Sequence, residues 1–307
     1  MWITLLDAEM HMPHIIKKVC VKNVELKNIE KILHSNIKER KYMQIEEIIN
    51  KIHLGDTLTT LRTFPDECID ITITSPPYNK MGAAGGLVKE VKYKKSSDIQ
   101  NENEYQIEQI EVLNELWRVT RPGGHIFYNH KLRWIDGVMI HPIGWIFQSK
   151  WVGNIRQEII WDRGIAGNLR GWRFWQVEER IFWMQKGIVK GAELQSKSAK
   201  MTSIWRIRPD SNMKHPAPFP IEIPTRCIHS INDDVMYQNV LDPYCGSGTT
   251  LVAAKCMVNN YVGIDCSQEY IDEAELRLLR MPDFQRVQDE IKLHVVKKSY
   301  KDRKKKL

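Results

Sequence analysis

Two periods of hydrophobicity alternate along most of the chain. The runs Cys68 to Thr74, His125 to Tyr128, Asn239 to Asp242 and Tyr261 to Asp265 are short, apolar or β-branched, and bounded by turn formers, so they read as buried strands. Between them the period lengthens. Ile107, Ile110, Leu113 and Trp117 recur at helical steps, and helices are expected over about Thr57 to Leu61, over Thr249 to Met257 and from Ser267 onward. Arg121-Pro122-Gly123-Gly124 is expected to stop the long helix and turn the chain into the strand at His125. Asn154 to Trp161 and Glu179 to Met184 predict two more strands around a loop of Gly, Arg and aromatic residues. Strands alternating with helices predict an α/β fold, a mainly parallel sheet with helices on both faces.

Residues 1–50 do not follow this alternation. They are rich in Lys, Glu, Ile and Asn, with helical spacing at Val24, Leu26, Ile29, Ile32 and Leu33 and again at Ile45, Ile48 and Ile49, and read as an N-terminal helical extension. Composition adds exclusions. With 42% hydrophobic and 27% charged residues in 307, the chain is neither disordered nor collagen-like. No run approaches the roughly 20 apolar residues that span a bilayer, and no signal-peptide pattern opens the chain, so a cytoplasmic protein with no membrane partner is expected. The six cysteines lack metal-ligand or CxxC spacing; reduced thiols and no metal site are expected. The net charge of +7 is concentrated: residues 297–307 hold seven Lys/Arg and one Asp, leaving the remainder near +1. Such a tail is either a solvated end or a source of sequence-independent phosphate contacts.

Two segments carry chemistry. Asp242-Pro243-Tyr244-Cys245-Gly246-Ser247-Gly248-Thr249-Thr250 is a strand end, a tight glycine turn and a helix start, which brings backbone close to a ligand at the carboxyl edge of a sheet. Asp265 closes the next strand, where a doubly wound fold places an acid that accepts from ribose hydroxyls. The third glycine of the dinucleotide fingerprint is missing, which disfavours a pyrophosphate ligand. Thr74-Ser75-Pro76-Pro77-Tyr78-Asn79 also follows a buried strand. Its paired prolines fix φ and remove two donors, leaving carbonyls held outward as acceptors.

Together these segments resemble the amino-group DNA methyltransferases. The glycine turn is similar to the family loop that wraps S-adenosylmethionine, His215-Pro216-Ala217-Pro218-Phe219-Pro220 to the segment over its methionine end, and Gly55-Asp56 to the strand-end acid that meets its adenine. The resemblance therefore implies cofactor contacts at Asp56, Phe219, Asp242, Pro243, Gly246, Gly248, Thr249 and Asp265, and a catalytic centre of Ser75, Pro76, Pro77 and Tyr78. In that centre Ser75 Oγ and a proline carbonyl would accept the two N–H bonds of a base's exocyclic amine, and Tyr78 would stack on the extruded base. The catalytic segment precedes the cofactor loop, the circularly permuted order of the β class, whereas related RNA and protein methyltransferases usually have the reverse. A Rossmann-like class I S-adenosylmethionine-dependent fold is implied. Ser before Pro-Pro resembles the cytosine-N4 branch and Asn79 is frequent in adenine-N6 enzymes; the reading leans to cytosine-N4. A catalytically silent DNA-binding regulatory module is the alternative from another class.

DNA contacts are expected from the aromatic and basic stretch between the halves, at Arg163, Arg170 and Arg173, and from Lys94. The same tryptophans could equally pack into a core. The expected organisation is residues 1–50 as the extension, 51–163 as the catalytic half, 164–214 as the recognition region, 215–285 as the cofactor half and 286–307 as a basic tail. Double-stranded DNA is the expected partner, with a restriction endonuclease of the same site as a second, and the protein is read as a monomer or homodimer.

Overall fold

The computed structural model describes residues 42–79, 100–166, 171–187, 201–210, 220–231 and 237–294. The chain divides into two units, Met1–Lys41 and Tyr42–Leu307, and all the described residues belong to the second. Lys94, Arg170, His215 to Phe219, the helical spacing from Val24 to Leu33 and residues 297–307 lie outside the described residues.

In chain order the elements are α1 (Ile45–Ile48), β1 (Lys51–Leu54), α2 (Thr57–Leu61), β2 (Ile69–Thr74), α3 (Glu102–Val119), β3 (Thr120–His130), β4 (Arg133–Ile135), β5 (Val138–Ile140), α4 (Ile143–Ile146), β6 (Ile155–Asp162), β7 (Glu178–Gln185), β8 (Ile204–Arg206), α5 (Glu222–Ile231), β9 (Asn239–Asp242), α6 (Thr249–Cys256), β10 (Asn260–Asp265), α7 (Gln268–Arg280) and α8 (Phe284–His294). Eight strands form one sheet in the order β1-β10-β9-β2-β3-β7-β6-β8. The first five are mutually parallel, and β7 runs antiparallel to both β3 and β6.

Side-chain alternation explains why both faces are covered. Phe127, Val240, Ile181 and Trp183 enter one core, packed with α5, α6 and α8 residues such as Ile228, Val252 and Val287. Their neighbours Ile126, Tyr128, Leu241, Phe182 and Met184 enter the other, with Leu61, Leu113 and Trp145. A strand buried on both faces loses its polar positions, which is the continuous apolar signature seen in the sequence. On α3 the expected stripe is displaced: Leu113 is buried and Ile107 is exposed, while Tyr105, Val112, Leu116 and Val119 complete the buried face. Asn101 caps it by accepting from Asn103 N, and Arg118 in its last turn donates to Leu61 O and Phe64 O, tying the helix to the α2 region.

Strand β3 begins at Thr120, before the expected start at His125. Ile69 pairs with Thr120 and Ile71 with His125, so Arg121-Pro122-Gly123-Gly124 is looped out of register. The turn signal makes a bulge within the strand instead of its boundary, and a side chain at Gly124 would meet Asp70 O at 2.9 Å. The β4–β5 hairpin, with Asp136 and Gly137 at φ 49° and 80°, the short strand β8 and the helices α5 and α8 have no counterpart in the expected elements. Helix α8 takes up the first part of the stretch read as a tail; its Val287 is fully buried, and Glu290 pairs with Arg226. No helix among the described residues is long and apolar enough to cross a membrane.

The winding reverses between β9 and β2, and the crevice outside their carboxyl ends is where such sheets bind ligands. Glycine is required at the mouth of that crevice. Gly248 has φ 78°, and a Cβ there would sit 2.7 Å from Ala274 Cβ of α7. Gly248→Ala should therefore destabilise the fold by about 1–3 kcal/mol through overpacking and backbone strain. Gly144→Ala, exposed on helix α4 where nothing lies within 4 Å, should leave stability unchanged or raise it by up to about 1 kcal/mol. Urea unfolding of the two variants, with unchanged slope, checks the contrast.

Candidate active site at the carboxyl edge of the sheet

The parallel pairing of Ile71 with Val240 and Thr72 with Leu241 sets the ends of β2 and β9 side by side. The Ser-Pro-Pro-Tyr segment and the glycine turn, far apart in sequence, thus leave the same edge. Thr57 Oγ1 donates to Pro243 O at 2.7 Å, and the Gly55 amide donates to Asp265 O, so the α2 start, the β9 turn and the β10 end are stitched together.

The glycine turn is braced from within. The Gly246 amide donates to Asp265 Oδ2 at 2.9 Å and the Ser267 amide to Asp265 Oδ1 at 2.8 Å. Arg277, nearly buried on α7, donates to Ser247 O, Ser247 Oγ and Thr249 Oγ1 and pairs with Asp283. That guanidinium is a brace the sequence reading missed; its only sequence signal is a charge on a helix face that otherwise packs. Asp56 is the N-cap of α2, accepting from Thr59 N at 2.8 Å. Burial pushes the Asp242 carboxyl up to about 6, against the lowering by the Thr250 hydroxyl, the Tyr244 amide and the Thr74 hydroxyl; Asp265 is raised by burial as well. The polar groups acting on Asp242 are neutral donors and a second carboxylate, Asp265. A sulfonium cofactor with an ammonium group fits the paired carboxylates Asp242 and Asp265 at this edge.

On the β2 side the prolines are fixed from behind. The Tyr105 hydroxyl of α3 lies 2.7 Å from Pro77 O and 2.8 Å from His130 Nε2, and its one hydrogen serves both acceptors, because His130 Nδ1 donates to Lys131 O at 2.8 Å. Burial holds His130 well below its usual titration range, and so neutral. Asn79, at φ 46°, accepts from Gln100 N at 2.8 Å and donates to Gln100 O and Glu102 Oε2, and Arg133 pairs with Glu102. Asn79 is thereby clasped to Gln100 and Glu102 at the start of α3.

A polar cluster lies beside Ser75. Its Oγ is 2.5 Å from Tyr78 OH, which donates to Glu179 Oε2 at 2.8 Å. Asn129 Nδ2 reaches Tyr78 OH at 2.7 Å, Glu179 Oε2 at 2.8 Å and Ser75 Oγ at 3.2 Å. Arg163 sits 3.3 Å from Glu179 Oε1. Asn129 was not singled out in the sequence, although a polar pair, Asn129-His130, ending an apolar strand is the signal that would have found it. Glu179 and Asn129 are almost fully buried.

Of the expected DNA contacts among the described residues, Arg163 is directed inward to Glu179, with its side chain 17% exposed. Arg173 lies over the Trp134 ring at 3.9 Å, next to Trp172. Trp172, Phe174 and Trp175 are exposed, Phe174 at 98%. This surface is joined to the cluster, since Arg163 also donates to Gln176 O and Gln176 Nε2 to Leu132 O.

The sequence matches the DNA methylase family of N6 and N4 methyltransferases over residues 69–276. Among characterised relatives, the Type II methyltransferase M.HinfI of Haemophilus influenzae is 30% identical over 265 residues, covering 76% of this chain and 69% of the relative. M.BglII of Bacillus subtilis is 27% identical over 280 residues, covering 76% and 70%. The fold is that of the PvuII DNA methyltransferase, described as cytosine-N4-specific, with TM-score 0.59 at 18% identity over 80% of this chain and 92% of that one. It is also that of TTHA0409 from Thermus thermophilus in complex with S-adenosyl-L-methionine, with TM-score 0.56 at 22% identity over 76% and 94%. With its family match covering most of the chain and its two motif loops meeting at the switch point of a Rossmann-like sheet, this protein belongs to the DNA methylase family, the S-adenosylmethionine-dependent enzymes that methylate N4 or N6 amino groups in DNA.

Proposed function

We propose that the enzyme methylates the exocyclic amine of a base extruded from double-stranded DNA, at a specific site and as the modification partner of a restriction endonuclease. The observation that carries this reading is the placement of Ser75 and the proline carbonyls next to the glycine turn across the β2–β9 crevice. S-adenosylmethionine supplies an electrophilic methyl group. Asp242, Pro243, Gly246, Gly248, Thr249, Asp265, Asp56 and Phe219 are our assignment for holding it. The chain's own work lies in orienting the amine. Its lone pair is delocalised into the ring, so acceptors on both N–H bonds favour the pyramidal form and aim the lone pair. Because Tyr105 already donates to Pro77 O, we assign the acceptors to Ser75 Oγ and Pro76 O. Tyr78 offers a ring face to the extruded base, replacing stacking lost from the duplex.

The target reading leans to cytosine-N4, from Ser75 and with the PvuII enzyme as a fold neighbour of that specificity. Asn79, the residue that pointed to adenine, makes a structural clasp, which weakens its weight as a specificity signal. For DNA contact, Arg173 and the exposed Trp172, Phe174 and Trp175 offer a cation with stacking surfaces, the combination that grips unpaired or distorted strands.

Tyr78→Ala should abolish most methyl transfer to DNA while leaving cofactor affinity within about twofold; equal loss of both, measured by filter binding of labelled cofactor and DNA labelling, contradicts the assignment. Cofactor affinity should rise with pH through about 6, the value to which burial lifts Asp242. A bound cation favours the ionised carboxylate, so binding lowers this pKa; the gain is present above about 6 and is lost as pH falls. Asp242→Asn should flatten the profile measured by calorimetry. Nucleoside analysis of the methylated product should yield N4-methylcytosine, and N6-methyladenine would reassign the base.

A further inference from the structure

A serine hydroxyl is a weaker proton acceptor than a carboxylate, yet Ser75 occupies the position that faces the substrate amine in the proposed reaction. We propose that Glu179 supplies the missing negative charge through the Tyr78 hydroxyl, forming a directed relay Ser75–Tyr78–Glu179 that takes the proton released by the methylated amine. The inference rests on that functional reading, and it is carried by the hydrogen-bond count.

Tyr78 has one hydroxyl hydrogen, and it goes to Glu179 Oε2 at 2.8 Å. The 2.5 Å contact between Ser75 Oγ and Tyr78 OH must then use the serine hydrogen. Asn129 Nδ2 has two hydrogens, and its two closer acceptors are Tyr78 OH at 2.7 Å and Glu179 Oε2 at 2.8 Å. The Tyr78 oxygen is thereby saturated, with two bonds accepted and one donated. Ser75 Oγ has given away its hydrogen and keeps lone pairs to offer, with Asn129 Nδ2 farther off at 3.2 Å. Within this cluster the group that orients it this way is the carboxylate, which cannot donate. Each bond polarises the next, so charge on Glu179, at the buried end of the chain of bonds, raises the basicity of the partly exposed Ser75 Oγ. Glu179 is 5% exposed and Asn129 fully buried. Arg163, on the other carboxylate oxygen at 3.3 Å, fixes which oxygen faces Tyr78.

The balance closes without another reactant. The amine nitrogen bonds to the methyl carbon as the carbon–sulfur bond breaks and its electron pair passes to sulfur. The nitrogen, now carrying a surplus proton, passes it to Ser75 Oγ. The Ser75 hydrogen moves to Tyr78, the Tyr78 hydrogen moves to Glu179, and the carboxylic acid later releases it to solvent. Tyr78 then has two separable functions, a ring for stacking and a hydroxyl for the relay. Glu179 and Asn129 act through others and are positioning residues.

The test separates those functions with Tyr78→Phe and Glu179→Gln, followed in single-turnover methyl transfer to DNA with cofactor and DNA prebound. Stacking alone predicts wild-type rates for Tyr78→Phe. The relay predicts that each variant slows transfer by about 100- to 10,000-fold, that the double variant is no slower than either, and that the wild-type solvent isotope effect shrinks in both. Wild-type rates in Tyr78→Phe, or effects that multiply in the double variant, would overturn the relay while leaving the stacking reading intact; that reading fails separately, through an active Tyr78→Ala. A readout free of turnover is the Tyr78 Cζ resonance in protein carrying ring-labelled tyrosine, assigned by its loss in Tyr78→Phe. Glu179→Gln should shift it in the cofactor-free enzyme, and an unmoved resonance counts against the relay. If Glu179→Gln fails to fold, the rate and isotope effect of Tyr78→Phe decide alone.

Discussion

The parallel pairing of β2 with β9 places everything else. Ile71 against Val240 and Thr72 against Leu241 are central contacts of the sheet, and each of these residues is fully or almost fully buried. Because the winding reverses there, the connections leaving the two strands depart to opposite faces and leave a crevice between them. A one-residue slip of this register would turn Val240 and Leu241 onto each other's faces, exchanging the contents of the two cores. Packing of the two hydrophobic layers therefore holds the Ser-Pro-Pro-Tyr segment and the glycine turn at a fixed separation. Chemistry at the edge inherits its precision from apolar alternation in the middle.

The bracing of the two loops differs in kind. Around the glycine turn the donors are backbone amides, the Thr57 hydroxyl and one guanidinium, and the acceptors are Asp265, Pro243 O, Ser247 and Thr249. Around the proline segment, where backbone donors are missing by the nature of proline, side chains supply the order: Tyr105 from α3, Asn129 from β3 and Glu179 from β7. The antiparallel strand β7 thus has a role beyond closing the sheet, since its pairing of Asn129 with Ile181 and Tyr128 with Phe182 sets the register that brings Glu179 within reach of Asn129 and Tyr78.

Elements with strong local periodicity were legible: β2, β6, β7, β9 and β10 lie where the apolar runs predict them, and α2 and α6 start where their turn signals end. The β3 boundary was not, because Pro-Gly-Gly is compatible with both a turn and a bulge, and only the neighbouring strand decides. Helix α5 begins beyond a Pro-rich stretch and contains Pro224 itself, which hides its pattern. For the site, the two motifs were visible because each is contiguous. Asn129, Tyr105 and Arg277 were hidden, since their roles arise from contacts across the sheet that spacing along the chain does not encode.

Arg163 shows how three-dimensional context redirects a residue that reads plainly in sequence. Among arginines, glycines and tryptophans it looks like a phosphate ligand, but its guanidinium faces Glu179 and Gln176 O with little exposure. Turning it outward to DNA would leave the buried Glu179 carboxylate without its cation, a cost of several kcal/mol that an exposed phosphate contact does not offset. Arg173, stacked on Trp134 at the surface, meets no such penalty. The aromatic surface and the polar cluster are nevertheless joined through Arg163 and Gln176, since one guanidinium holds both the backbone of the 171–177 loop and the carboxylate that accepts from Tyr78.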